Sequence, residues 1–492
     1  MRASFTISQP ERIQSASVMW IGGLLFASIL WFLMLHGQFN FLCAFIIASG
    51  LILVSLYDKA AAILLTLTYL FLMGDLRRIL AVTVGQPAQD LLLLVGPIVA
   101  FVLAFPLLLR LRLSDGLSKA MLALLAVMAL EIFNPKQGGL TVGLSGALFY
   151  IAPVLWFWLG RRYGSPAVVE KLLYLAIFPL SLLAALLGFV QTFVGFLPYE
   201  QAWIDVASKT YTALYIGGSI RPFGFSVSGT EYAVLLMLGA VGVAAAYFGS
   251  RPKWAVIFPI LITGVVLASG RTAVIRVIFT LAFVWTFRKG QRLRPKKLLL
   301  LLSFTLLGLV GVVLIASRFG TPDAGPSAKN SVVNDALAHQ AGGLAHPLDP
   351  RYSTAGLHGG MLWSGILEGF TYPIGHGLGS TTEAATKFGG DTDTGSSELD
   401  ISDMFIGLGL IGGLLYLYIV VSAMRRSLEY LQTVRLSVSL PVAALLISSL
   451  GSWLIGGQYS TSALMLFLVG ALSYPDIKQS EDTRTMHIRS RF

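Results

Sequence analysis

Apolar runs of about 17–22 residues recur along the whole chain, each long enough to cross the roughly 30 Å of hydrocarbon in a bilayer. A chain built this way has few options, because buried backbone groups must bond within their own segment and so form helices. Windows of this kind begin near Ala16, Phe39, Ala60, Asp90, Ser118, Val142, Val168, Thr230, Lys253, Thr272, Lys296, Asp403, Ser437 and Ser460. Charged residues make up 12% of the chain against roughly 25% in soluble domains, and mean hydropathy is +0.77. The expected fold is an all-α polytopic membrane protein of about fourteen spans, one integral membrane domain over residues 1–492. The first window, Ala16 to Leu35, is too long and too poorly flanked for a cleavable signal peptide.

The net charge of +11 would suit nucleic acid, but its placement argues against that partner. With the N-terminus inside, about 24 of the 35 Lys and Arg fall on cytoplasmic segments. They sit in short turns such as Arg161-Arg162, Arg251-Pro252-Lys253 and Arg425-Arg426, and in the dense run Arg288 to Lys297. Topology and attraction to anionic lipid account for them. Both termini are then cytoplasmic, and Arg77-Arg78 is one exposed pair that breaks the rule. Cys43 stands alone in a predicted span, which excludes intrachain disulfides and thiolate metal clusters and fits a core filler.

Three extracytoplasmic segments are longer than turns: Glu131 to Gly139, residues 199–229, and a polar loop over 318–402. Four of the six histidines lie in that last loop: His339, His346, His358 and His376. Its first part, Thr321 to Pro350, is rich in Gly, Ala, Pro, Asn and Ser and is expected not to hold one conformation. Ser353 to Phe370 spaces Leu357, Met361, Leu362, Ile366 and Leu367 as a short helix lying on the membrane face would. Pro373 to Ser380 then supplies a glycine-rich backbone able to approach a ligand closely.

Arg221, Arg271 and Arg351 stand out at or near the membrane edge, where a charge is costly. Guanidinium matches diphosphate oxygens with a fixed fork of donors. The plain alternative is a topology anchor or an internal pair such as Arg221 with Glu231, and Arg276 reads as structural. Among the histidines, His376 and His358 are the candidates to take a proton as neutral imidazole, whereas His339 and His346 read as solvated. Asp391 to Asp403 reads as a solvated acidic linker. Its functional alternative singles out Glu398, Asp400 and Asp403, nearest the next span. No His-x-x-x-His spacing occurs, so no metal is expected.

Four stretches, taken in order, resemble the bacterial O-antigen polymerase and O-antigen ligase superfamily of multispanning, GT-C-like glycosyltransferases. Arg221-Pro222-Phe223-Gly224 looks like its Arg-x-x-Gly segment, and Ser269-Gly270-Arg271-Thr272 is similar to its Ser-Arg-Gly junction with a glycine inserted. The run from Arg351 through Trp363 to Gly379 resembles its Arg…Trp…Pro-x-x-Gly-x-Gly-x-Gly pattern. Gly409-Leu410-Ile411-Gly412 resembles the opening of its next span. The ligases carry His-Asn where this chain has Glu398-Leu399, eleven residues before Gly409, a departure that favours a polymerase. The resemblance implies inverting transfer on undecaprenyl-diphosphate-linked oligosaccharide at the periplasmic face of the inner membrane, with no cofactor and a chain-length regulator as a possible partner. Arg221, Arg271 and Arg351 would hold the diphosphate, and His376, His358, Glu398, Asp400 or Asp403 would take the proton. The rival class is a lipid-linked oligosaccharide flippase, for which paired broken helices and charges near the bilayer midplane would be the mark.

Overall fold

Helices account for almost all of the backbone, as the apolar windows require. The computed structural model describes residues 28–84, 91–111, 113, 115–207, 215–216, 219–290, 294–319, 332–347, 349, 351, 353–389, 399–455 and 458–474. In chain order the main helices are α1 (Phe39–Tyr57), α2 (Lys59–Val84), α3 (Leu92–Leu108), α4 (Gly116–Glu131), α5 (Leu140–Tyr163) and α6 (Pro166–Phe193). They continue with α7 (Pro198–Ala207), α8 (Gly229–Phe248), α9 (Phe258–Leu267), α10 (Arg271–Phe287) and α11 (Pro295–Phe319). After these come α12 (Val332–Ala345), α13 (Ala355–Thr371), α14 (Glu383–Phe388), α15 (Asp400–Thr433), α16 (Leu436–Ser448) and α17 (Tyr459–Ala471). A two-residue antiparallel ladder pairs Tyr215 with Ile220.

The protein is a polytopic membrane protein. Seven described helices are long and apolar enough to cross a bilayer, and four more apolar helices are shorter. The count of fourteen expected from sequence therefore exceeds the helices that meet the length criterion. The window near Ala16 lies mostly outside the described residues.

The centre and the rim separate by burial. Of the most apolar window of each helix, 83% is buried in α8 but only 6% in α11, which presents Leu299, Leu306, Leu307 and Leu314 outward. Close packing at the centre depends on missing side chains: a Cβ at Gly160 would lie 1.9 Å from the Phe467 carbonyl oxygen, and one at Gly470 would lie 2.0 Å from that of Phe157. Small residues are how helices bring backbones together where lipid is as apolar as leucine.

At the end of the bundle that carries the basic turns, the arginines are not all free to meet lipid. Asp115 pairs with Arg161 at 3.1 Å and Arg426 at 3.2 Å, tying together the ends of α4, α5 and α15. Glu170 pairs with both Arg251 and Arg435. Single acids placed among basic turns thus fasten the bundle, a use of the charges that topology and lipid attraction alone do not cover.

α16 and α17 form a short hairpin. Thirteen residues span about 20 Å, less than the hydrocarbon thickness, so neither helix crosses it alone. The irregular backbone that joins them is satisfied by protein. Asp400 accepts from the Trp453 amide at 2.7 Å, Arg276 donates to Ser452 Oγ at 2.7 Å, and Glu231 accepts from the Ser460 amide at 3.1 Å. These three ionisable side chains pin the connector and the start of α17.

Two loop expectations change. Residues Val332–Ala345 form α12, although the surrounding composition suggested no fixed conformation. Gln340, Ala341, Gly342 and Gly343 are buried, and the run Ala341-Gly342-Gly343 lets the helix seat closely on its neighbours. The helix expected over Ser353 to Phe370 is α13, displaced by a residue or two, and it carries exposed Leu357, Trp363, Leu367 and Phe370. That apolar stripe fits a helix lying along a membrane surface.

Candidate functional site

The segment opening with Arg221 is held from below. Arg78 is 2% exposed and donates to the carbonyls of Ser226 and Gly224, both at 2.9 Å, while also pairing with Asp75. Gln191 Oε1 accepts from the amides of Phe223 and Gly224 at 3.0 and 2.8 Å. Arg78 is therefore a buried strut and not the exposed exception that the charge count suggested. A guanidinium with several fixed donors suits this job, since it answers two carbonyls and a carboxylate together.

Arg221, so presented, donates to the Ala268 carbonyl at 3.3 Å. That carbonyl ends α9, and Arg271 begins α10 three residues later, which brings the two arginines to one junction. α12 covers it. Arg271 Nη2 lies 2.7 Å from His339 Nε2, and Arg271 Nε donates to the His339 carbonyl at 3.2 Å. Gly343, one turn after His339, makes the approach possible: a Cβ there would lie 2.3 Å from the guanidinium carbon of Arg271. Among the described residues no carboxylate pairs with Arg271.

His339 is thus part of the site rather than solvated. Burial first, then the charges of Arg271 and Arg221, hold its imidazole down at about 4. It is neutral at ordinary pH, and with Arg271 Nη2 also 3.1 Å from Nδ1, whichever ring nitrogen lacks the proton is the acceptor. The arrangement is two guanidiniums at a helix junction, one of them answered by a neutral acceptor. It is a place where an anion would be held by fixed donors.

A second arrangement is built at the end of α13. His376 Nε2 is 2.9 Å from Glu368 Oε1, and the Tyr372 ring packs at 4.8 Å from the imidazole. With Nε2–H donating to the carboxylate, Nδ1 is left as the proton acceptor. This is the orientation a general base needs. Glu368 closes α13 and His376 follows the turn, so the pair is a product of the bend.

That bend is wedged into α15. Gly409 has φ 66° and ψ −163°, which interrupts the helix and opens its backbone. The amides of His376 and Gly377 donate to the carbonyls of Ile406 and Gly407 at 3.0 Å, and the Leu410 amide donates to Pro373 at 3.1 Å. Gly375 and Gly377 also take positive φ, at 88° and 103°. The glycine run and the Gly409 segment are therefore two halves of one unit.

The remaining sequence candidates disperse. Arg351 is 79% exposed and forms a two-point pair with Asp349, holding that carboxyl down at about 2. His358 is half-buried on the first turns of α13. Asp400 and Asp403, expected in a solvated linker at the membrane face, are 0% and 1% exposed. Tyr416 donates to Asp400 Oδ2 at 2.5 Å beside the Trp453 amide, which makes Asp400 an anchor of the connector. Glu231 engages Ser460 and not the Arg221 partner weighed above. Glu398, Asp391 and Asp393 lie outside the described residues.

His339, Glu368 and Arg78 are the residues that sequence reasoning passed over. For His339 a signal existed: it is four residues before Gly343, so both occupy one helical face. No family model matches the chain, and no curated protein matches it.

Proposed function

We propose that the protein polymerises undecaprenyl-diphosphate-linked oligosaccharide repeat units at the periplasmic face of the bacterial inner membrane, building O-antigen or exopolysaccharide. The observation that carries this reading is the Arg221–Arg271 junction, a donor-rich anion site at a membrane edge with no described carboxylate on Arg271. The diphosphate of the growing chain sits there. A hydroxyl of the incoming repeat attacks the anomeric carbon, the carbon–oxygen bond to the diphosphate breaks, and the diphosphate leaves with the electron pair. Inversion follows from a single displacement. Fixed guanidiniums offset the charge that develops on the leaving group, which is the largest single term available. His376, oriented by Glu368, takes the hydroxyl proton.

Fourteen spans with both termini cytoplasmic place the loop outside. In a Cys43→Ser background, Gly356→Cys is expected to react with an impermeant maleimide on intact cells and Lys289→Cys is not. Both positions are exposed, so the reverse pattern inverts the topology and removes the mechanism.

Deletion of the gene followed by a glycan gel tests the reaction. The expected result is loss of the ladder with single repeat units still attached to their acceptor. Loss of all attached sugar while polymer accumulates on lipid would assign a ligase instead. The flippase reading has one observation in its favour, the buried Asp400 and Glu231 and the half-buried Arg276 gathered around the α16–α17 hairpin. It predicts repeat units trapped on the cytoplasmic leaflet.

A further inference from the structure

A cavity of about 420 Å³ opens between the segment after α4 and the bend after α13, lined among others by Glu131, Phe133, Lys136, Tyr372 and Ile374. It lies in the size range of small-ligand sites, roughly 300–1,000 Å³. The dyad described above lies next to it: Tyr372, which lines the cavity, packs on His376. Glu131 is 8% exposed, and its Oε2 accepts from Asn134 Nδ2 at 2.7 Å. The other carboxylate oxygen, Oε1, has no partner among the described residues. Lys136 Nζ stands 4.3 Å over the Tyr372 ring at the rim. Asn134 also donates to the Gly375 carbonyl, locking the two walls to each other.

The lining selects its ligand. An alkyl chain would satisfy the apolar residues Leu130, Phe133 and Ile374 but would seal the open Oε1 of Glu131 away from any donor, which is costly. An anion would meet Glu131, and a cation would meet Lys136. A neutral polyol offers hydroxyl donors to Glu131, hydroxyl acceptors to Lys136, and a C–H face to Phe133. We infer that this cavity is a sugar subsite that seats a ring of the incoming repeat, with its reactive hydroxyl turned toward His376. The assignment of the ring to the acceptor rests on the polymerase reading; the binding of a neutral sugar does not.

The test is saturation-transfer NMR on the full chain in nanodiscs of phosphatidylcholine and phosphatidylglycerol. Glucose, galactose, rhamnose and N-acetylglucosamine are each offered singly. At least one sugar is expected to receive magnetisation, and Glu131→Gln should weaken its binding about ten-fold, the scale of one charge-assisted hydrogen bond. Lys136→Met, at an exposed position where methionine can still cover the Tyr372 ring, should weaken it in the same direction. No transfer to any of the four sugars, or equal transfer in wild type and both variants, overturns the subsite. So does a photo-crosslinker at Ile374 that captures phospholipid and is not competed by sugar, which would make the cavity a lipid groove. If Glu131-dependent binding holds while Arg271→Ala still makes full-length polymer, the subsite stands and the diphosphate assignment falls.

Discussion

Arg271→Ala is expected to abolish visible polymer, and Arg271→Lys to leave a short, sparse ladder. Loss of one preorganised donor to a developing oxyanion costs about 10²–10³-fold in rate. Lysine keeps the charge but brings a single ammonium in place of a planar fork, so it cannot hold an anion and reach the His339 carbonyl together. Arg221→Lys should fall in the same direction, since its guanidinium shares the junction. Folding is controlled by comparing melting of the purified variants, because removal of the side chain empties the space under Gly343. Arg425→Ala is the charge control: its side chain is 81% exposed and pairs only along its own helix with Glu429 in the described contacts. Full-length polymer from Arg271→Ala at normal expression would reduce Arg271 to a topology anchor and move the diphosphate site elsewhere.

The sequence carried the local parts of this architecture. Nearly every apolar window is a helix, because length and hydrophobicity are properties of a single segment. Arg221 and Arg271 stood out for the same reason, each beside a span and each expensive at that depth. What remained hidden was pairing across distance. Arg271 and His339 are separated by 68 residues, and nothing in either neighbourhood names the other. Arg78 looked like an exposed exception because its partners are backbone carbonyls near residue 225, and carbonyls leave no trace in composition. The acids of the loop misled for the opposite reason. Asp400 sits in a run that reads as solvated, and it is buried where the hairpin connector needs an acceptor for the Trp453 amide.

The resemblance also treated the glycine run before Ser380 and the segment at Gly409 as separate motifs, whereas the backbone bonds between them make them one joint. This gives a large expected stability effect. The φ of 66° and ψ of −163° at Gly409 belong to a region that glycine alone occupies comfortably, at about 1–3 kcal/mol for any other residue. There is no room either: a Cβ would lie 2.1 Å from the Pro373 carbonyl oxygen and 2.6 Å from the Gly375 amide nitrogen, both backbone atoms. Forcing a methyl into a packed site adds roughly 1–3 kcal/mol. Gly409→Ala should therefore cost about 2–6 kcal/mol, break the Leu410-to-Pro373 bond, and release the bend that positions His376 against Glu368. Gly356→Ala is the matched control, since a Cβ there meets nothing within 4 Å and alanine favours the helix. The measurements are thermal unfolding of both variants in one detergent, and polymer on a glycan gel. A melting temperature for Gly409→Ala equal to that of Gly356→Ala would mean that the bend does not depend on the broken helix. A normal ladder from the same variant would remove the dyad from the mechanism.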